Sequence, residues 1–156
     1  MPDKIDPIRP IDDDARTLAA SLVRQARHGA LGVITPDTGA PMVTRIACGW
    51  LGAPHILISD LSVHTAALAA NPACSLLIGE PGPKGDPLTH PRLTLQCRAV
   101  LASKVALRDT WLKLHPKSKL YFDFADFRML RLEVQTAHLN GGFGKAFLLD
   151  TSDLPQ

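Results

Sequence analysis

The residues best suited to chemistry lie in the run Ile58-Ser59-Asp60-Leu61-Ser62-Val63-His64-Thr65. An apolar, strand-like stretch ends there, a turn follows, and an alanine-rich helical stretch begins with hydroxyls and an imidazole. The first backbone N–H groups of a helix have no partner within it and carry the positive end of its dipole. Such an end holds an anion, a phosphate above all, without a charged side chain. Arg45 and Arg92 each occupy a strand position with alternating neighbours, and a guanidinium suits bidentate contact with phosphate. If the strands pair around the helix N-terminus, both arginines reach it. The alternative is a serine-capped helix with no ligand, a common surface feature.

Other chemistries find less support. Cys48, Cys74 and Cys97 sit in apolar strand contexts, are odd in number and form no CxxC. They read as buried thiols in a reducing cytoplasm, with no disulfide framework or zinc site. His28, His55, His64, His90, His115 and His138 show neither HxH nor HExxH spacing, so no metal site is expected. Ser59 and Ser62 lie outside any GxSxG, and no Walker A or GxGxxG is present. Gly141-Gly142-Phe143-Gly144 follows one strand and leads into another, which makes it a hairpin turn. No catalytic acid or base can be assigned.

These residues must be held by a small fold. The 156 residues suit one domain, and 46% hydrophobic with 21% charged residues is ordinary for a globular chain. A dispersed net charge of +2 argues against nucleic acid or a membrane surface as partner. Apolar runs fall far short of the roughly 18 residues that span a bilayer. The start is rich in Pro and Asp, unlike a signal peptide, and a cytoplasmic location is expected.

Residues 1–11 read as an extended arm, 12–150 as one domain and 151–156 as a tail. Asp12, Asp13 and Asp14 open a helix with an apolar stripe at Ala15, Leu18, Ala19, Leu22, Val23 and Ala26, and Gly29 is its expected C′ residue. Strands are expected over residues 30–35, 42–50, 55–59, 73–79, 92–103, 128–139 and 143–150. Helices are expected over 63–70 and 104–114, with a short one over 117–124. Residues 80–91 hold four prolines and two glycines and form a loop. On the fifth strand Arg92, Thr94, Gln96 and Arg98 face one way and Leu93, Leu95, Cys97 and Ala99 the other. The polar row is either a solvated face or one side of a ligand cleft. The links are too short for parallel crossovers, and five to seven antiparallel strands remove their edges by closing into a barrel.

The order of these elements resembles the flavin-binding split-barrel superfamily of pyridoxamine 5′-phosphate oxidase, and within it the branch related to haem-utilisation proteins. The resemblance rests on Pro41-Met42-Val43-Thr44-Arg45, the run from Ile58 to Thr65, Asn71-Pro72-Ala73-Cys74-Ser75-Leu76-Leu77, Arg92-Leu93-Thr94-Leu95-Gln96, and the stretch from Asp123-Phe124 to Gly144. It implies a mainly β fold, a six-stranded antiparallel split barrel of Greek-key form. It also implies a homodimer with two FMN sites at the interface. Met42, Val43, Thr44 and Arg45 would line the isoalloxazine through backbone groups. Ser59, His64 and Thr65 match positions that hold ribityl and phosphate oxygens, with Ile58 and Ser62 in the same stretch. Arg92 matches a position that reaches the flavin, and Gln96 points the same way.

The chain also departs from the superfamily. His64-Thr65 stands where pyridoxamine phosphate oxidase has paired basic residues, and its C-terminal substrate clamp has no counterpart. The C-terminal histidine ligand of haem-degrading relatives has none either, since the last histidine is His138. The resemblance implies a flavin-dependent oxidoreductase acting on a small molecule. Its alternatives are a haem-binding or haem-degrading protein, with His64, His90 or His138 as axial ligand, and a non-catalytic flavin-binding module.

Overall fold

Alternating apolar and polar residues build seven strands: β1 (His28–Ile34), β2 (Pro41–Trp50), β3 (Pro54–Ser59), β4 (Ala73–Ile78), β5 (Arg92–Leu101), β6 (Phe127–Asn140) and β7 (Ala146–Leu149). The structure is a computed structural model and describes residues 5–156; the first four residues of the expected arm lie outside the described residues. The hydrogen-bonded order is β3-β2-β1-β4-β5-β6-β7, and β3 also pairs with β6. Six strands therefore close into an antiparallel barrel. β4 returns beside β1, which makes the first four strands a Greek key. β6 is 14 residues long and serves two partners. Its first five residues pair with β3 and its last four with β7, which lies outside the closure.

Inward-facing side chains fill the barrel: Leu31, Ile56, Ile58, Leu76, Leu93, Leu95 and Leu132, with all three cysteines among them. Helix α1 (Asp13–Gln25) adds Ala15, Ala19 and Val23, and helix α2 (Val63–Ala70) adds Ala67 and Leu68. A second cluster lies outside the barrel wall. There Leu57 of β3 and Met129 of β6 pack against Trp111 of helix α3 (Lys104–Leu114) and against Phe122.

Several boundaries differ from the sequence expectation. α1 ends at Gln25 with Ala26 as its cap, so Gly29 is not its C′ residue. Gly29 instead sits in β1 opposite Ile46, where an added Cβ would lie 2.7 Å from the Leu77 carbonyl oxygen. The glycine serves the close packing of β1 on β4. Positive φ at Gly142 (122°) and Gly144 (71°) turns the chain, and β7 starts only at Ala146. β5 stops at Leu101, and the expected helix over 117–124 is a short 3-10 turn at Pro116–Leu120. The 151–156 segment is docked: Asp153 pairs with Arg16 of α1 at 2.9 Å, and Leu154 joins the core. Among the described residues, no helix is long and apolar enough to cross a membrane.

Candidate functional site

The barrel is open along one seam. The β2–β3 ladder ends at the Ala47–Leu57 pair, while β2 continues to pair with β1 back to Pro41. Residues 41–46 of β2 thus have a strand neighbour on one side only. β3 leaves the ladder, turns through Ser59 and Asp60, and enters α2, whose first turn fills the gap. There the His64 ring is 9% exposed and its Nδ1 meets the Thr44 hydroxyl at 2.9 Å. Burial lowers the His64 pKa, which favours the neutral imidazole.

The turn itself is cross-braced from a distant strand. The Ser59 hydroxyl donates to the Asp126 carboxylate at 3.1 Å and accepts from the Leu61 N–H at 3.1 Å. The Asp60 N–H donates to the Asp126 carbonyl at 2.7 Å. Arg128 donates to both oxygens of the Asp60 carboxylate and holds its pKa below the usual carboxylate range. The Thr65 hydroxyl donates to the Ser59 carbonyl. Ser62 is the N-cap of α2, yet its hydroxyl makes no capping bond. Asp126 and Arg128 were not singled out from the sequence, because nothing local marks residues more than 60 positions away as partners of this turn.

The candidates separate into two groups. Thr44, Ser59, Ser62, His64 and Thr65 come together at the seam. Met42 and Thr44 point toward the interior, while Val43 and Arg45 are exposed on the outer face. The Ile58 side chain is 2% exposed and belongs to the core, so only its backbone can meet a ligand. Arg92 and Gln96 lie elsewhere. Arg92 pairs with Asn140 at the end of β6, whereas Ser59 pairs with Phe127 at its start. Arg92 donates to the Leu88 and His90 carbonyls at 2.8 and 3.3 Å, and the Gln96 side chain accepts from the Thr136 hydroxyl at 2.7 Å. Among the described residues, neither Arg45 nor Arg92 hydrogen-bonds to α2: Arg45 is exposed on the outer face, and Arg92 is engaged by the two loop carbonyls.

Comparison with known proteins places the molecule. No family model matches the chain. A solved structure 44% identical to it superposes with a TM-score of 0.85, covering 93% of this chain and 98% of its own. The heme binding protein from Mycobacterium smegmatis is 29% identical with a TM-score of 0.82, over 94% of this chain and 60% of that one. The Non-canonical heme oxygenase HOZ, chloroplastic, of Arabidopsis thaliana is 41% identical over 107 residues, 65% of this chain. That match spans only 32% of the Arabidopsis protein's length. The chain has the pyridoxamine 5′-phosphate oxidase-like split-barrel fold, and haem-utilisation proteins are among its sequence and structural relatives.

As a split barrel, the chain presents an incomplete donor set for a flavin phosphate. Burial lowers the His64 pKa, Thr65 is engaged with Ser59, and Arg92 is at the other end of β6. Arg45 stands beside Thr44 at the seam but turns its side chain outward. The histidines of this split barrel are also largely committed. His90 accepts from the Gly82 N–H at 2.7 Å and bonds the Lys84 carbonyl at 2.8 Å, using both ring nitrogens. His55 bonds the Ala53 carbonyl, and His115 bonds the Cys48 carbonyl while stacked on Trp111 at 4.4 Å. His138 is exposed on the outer face of β6, between Thr94 and Leu148. Among the described residues, no three His, Cys, Asp or Glu side chains cluster as metal ligands.

Proposed function

We propose that this protein binds haem and acts in haem utilisation, with haem as the substrate class it recognises. The observation that carries the reading is the 41% identity over 107 residues to the Arabidopsis heme oxygenase. The 29% identity to the mycobacterial heme binding protein supports it. The scattered phosphate donors weigh against FMN as the ligand of a single chain. A homodimer is part of the proposal. The outer face of β1, β2 and β4 exposes Ile34, Val43 and Leu77, around the small residues Gly32 and Ser75. That apolar strip fits a second copy of the chain.

The experiment is a titration of the purified protein with ferric haem, read in the Soret region. A saturable band at one haem per chain is expected. Added reductant and oxygen should then bleach the band and yield a ring-opened tetrapyrrole if the protein turns haem over. No saturable change with haem, combined with a rise in melting temperature on adding FMN, overturns the haem reading in favour of flavin.

A further inference from the structure

We propose that the tetrapyrrole sits in the cleft between α2 and the adjoining ends of β5 and β6, with a propionate on Arg128. This assignment rests on the haem reading above. The cleft has a volume of about 470 Å3; Asp60 and Thr65 of the seam turn line it, whereas His64 and Thr44 do not. Its walls are apolar: Ala66 and Ala69 from α2, Val100 and Leu101 from β5, and Leu130 from β6.

Two features fit a flat, apolar ligand. Ala66 and Ala69 lie three residues apart on one helix face and are exposed, so α2 presents a shallow wall with no side chain standing across it. β5 continues beyond the core, leaving Leu101 72% and Val100 37% exposed at the rim. Large aliphatic side chains grouped around a concavity mark a binding site more often than isolated ones do.

The polar groups fit the acidic edge of the same ligand. Arg128 lines the cleft and spends Nε and one N–H of Nη2 on Asp60. A guanidinium has five N–H donors, so three remain for a second carboxylate. Lys104 adds positive charge nearby, since its Nζ donates to the carbonyl of Phe127, next to Arg128. Among the described residues Asp60 is the one acid lining the cleft, and Arg128 already neutralises it. Among the described residues, no histidine lines the cleft. Affinity there comes from the macrocycle and its propionates and not from a protein ligand to iron.

The test titrates the full chain with ferric haem and with metal-free protoporphyrin IX. Wild type should bind both, within a few-fold of each other. Ala69→Trp fills the cleft from an exposed helix position and should weaken both by roughly tenfold or more. Arg128→Gln removes a charge-assisted bond and should weaken both by about tenfold. His138→Ala, at the far end of β6, should leave affinity unchanged. Thermal melts confirm that each variant is folded. Wild-type affinity in folded Ala69→Trp overturns the assignment, as does failure of the metal-free porphyrin to bind. Loss of binding in His138→Ala but not in Ala69→Trp overturns it as well. A change from dimer to monomer in Ala69→Trp with haem affinity intact overturns it in favour of a contact between copies. If wild type binds neither porphyrin, the haem reading itself fails.

Discussion

The Nδ1 atom of His64 meets Thr44, and the ring is nearly sealed from solvent. His55 and His115 are likewise depressed by burial, more than their carbonyl contacts raise them. The consequence is a pH dependence of definite sign. A histidine whose folded pKa lies below its ordinary 6.5 refuses protons that the unfolded chain accepts. Stability is therefore full above about pH 6.5, falls as pH drops below it, and levels off beneath the folded values. Melting temperatures between pH 8 and pH 5 should decline through this window, and His115→Gln should flatten the decline. A second residue-level contrast concerns the caps. Ser103 accepts from the Ala106 N–H at 3.1 Å, whereas the Ser62 hydroxyl caps nothing. Ser103→Ala should cost about 1 kcal/mol in urea unfolding, and Ser62→Ala less than about 0.5 kcal/mol.

At the level of elements, the seam follows from where pairing stops. β2 is four residues longer than β3 and keeps β1 as partner where β3 has already turned away. α2 can enter only because that ladder ends at Ala47 and Leu57. The packing of β1 on β4 depends on Gly29, since a Cβ there would press on the Leu77 carbonyl and on Leu76 Cδ1 at 2.8 Å. A backbone oxygen cannot yield as a side-chain tip can. Gly29→Ala should therefore destabilise by about 1–3 kcal/mol. Chemical denaturation checks this, and an unchanged midpoint would show that the strands can separate without loss.

For the whole molecule, the decisive feature is which parts of the barrel's outside remain bare. α3 and the Phe122 segment cover the β3–β6 wall, and α1, α2 and Leu154 join the interior core. The β1–β2–β4 face keeps Val43 68% and Leu77 43% exposed on neighbouring rows. Sedimentation should give a dimer for the wild type and a monomer for Leu77→Arg. A monomeric wild type would overturn the dimer.

The amino-acid sequence by itself determined the elements. The alternation of Leu93, Leu95 and Cys97 with Thr94 and Gln96, the alanine-rich start of α2, and the prolines between Glu80 and Arg92 act within about ten residues, so their structural meaning is local. The run from Ser59 to Thr65 was legible as a helix start beside a strand end for the same reason. Only the tertiary structure decided what that helix start meets. Asp126 braces Ser59, Arg128 holds Asp60, Thr44 holds His64, and Arg92 lies at the other end of β6. Each of these follows from strand register, which is set by the summed packing of residues far apart in the chain. A one-residue slip turns every side chain to the opposite face, and no local pattern specifies the partner strand.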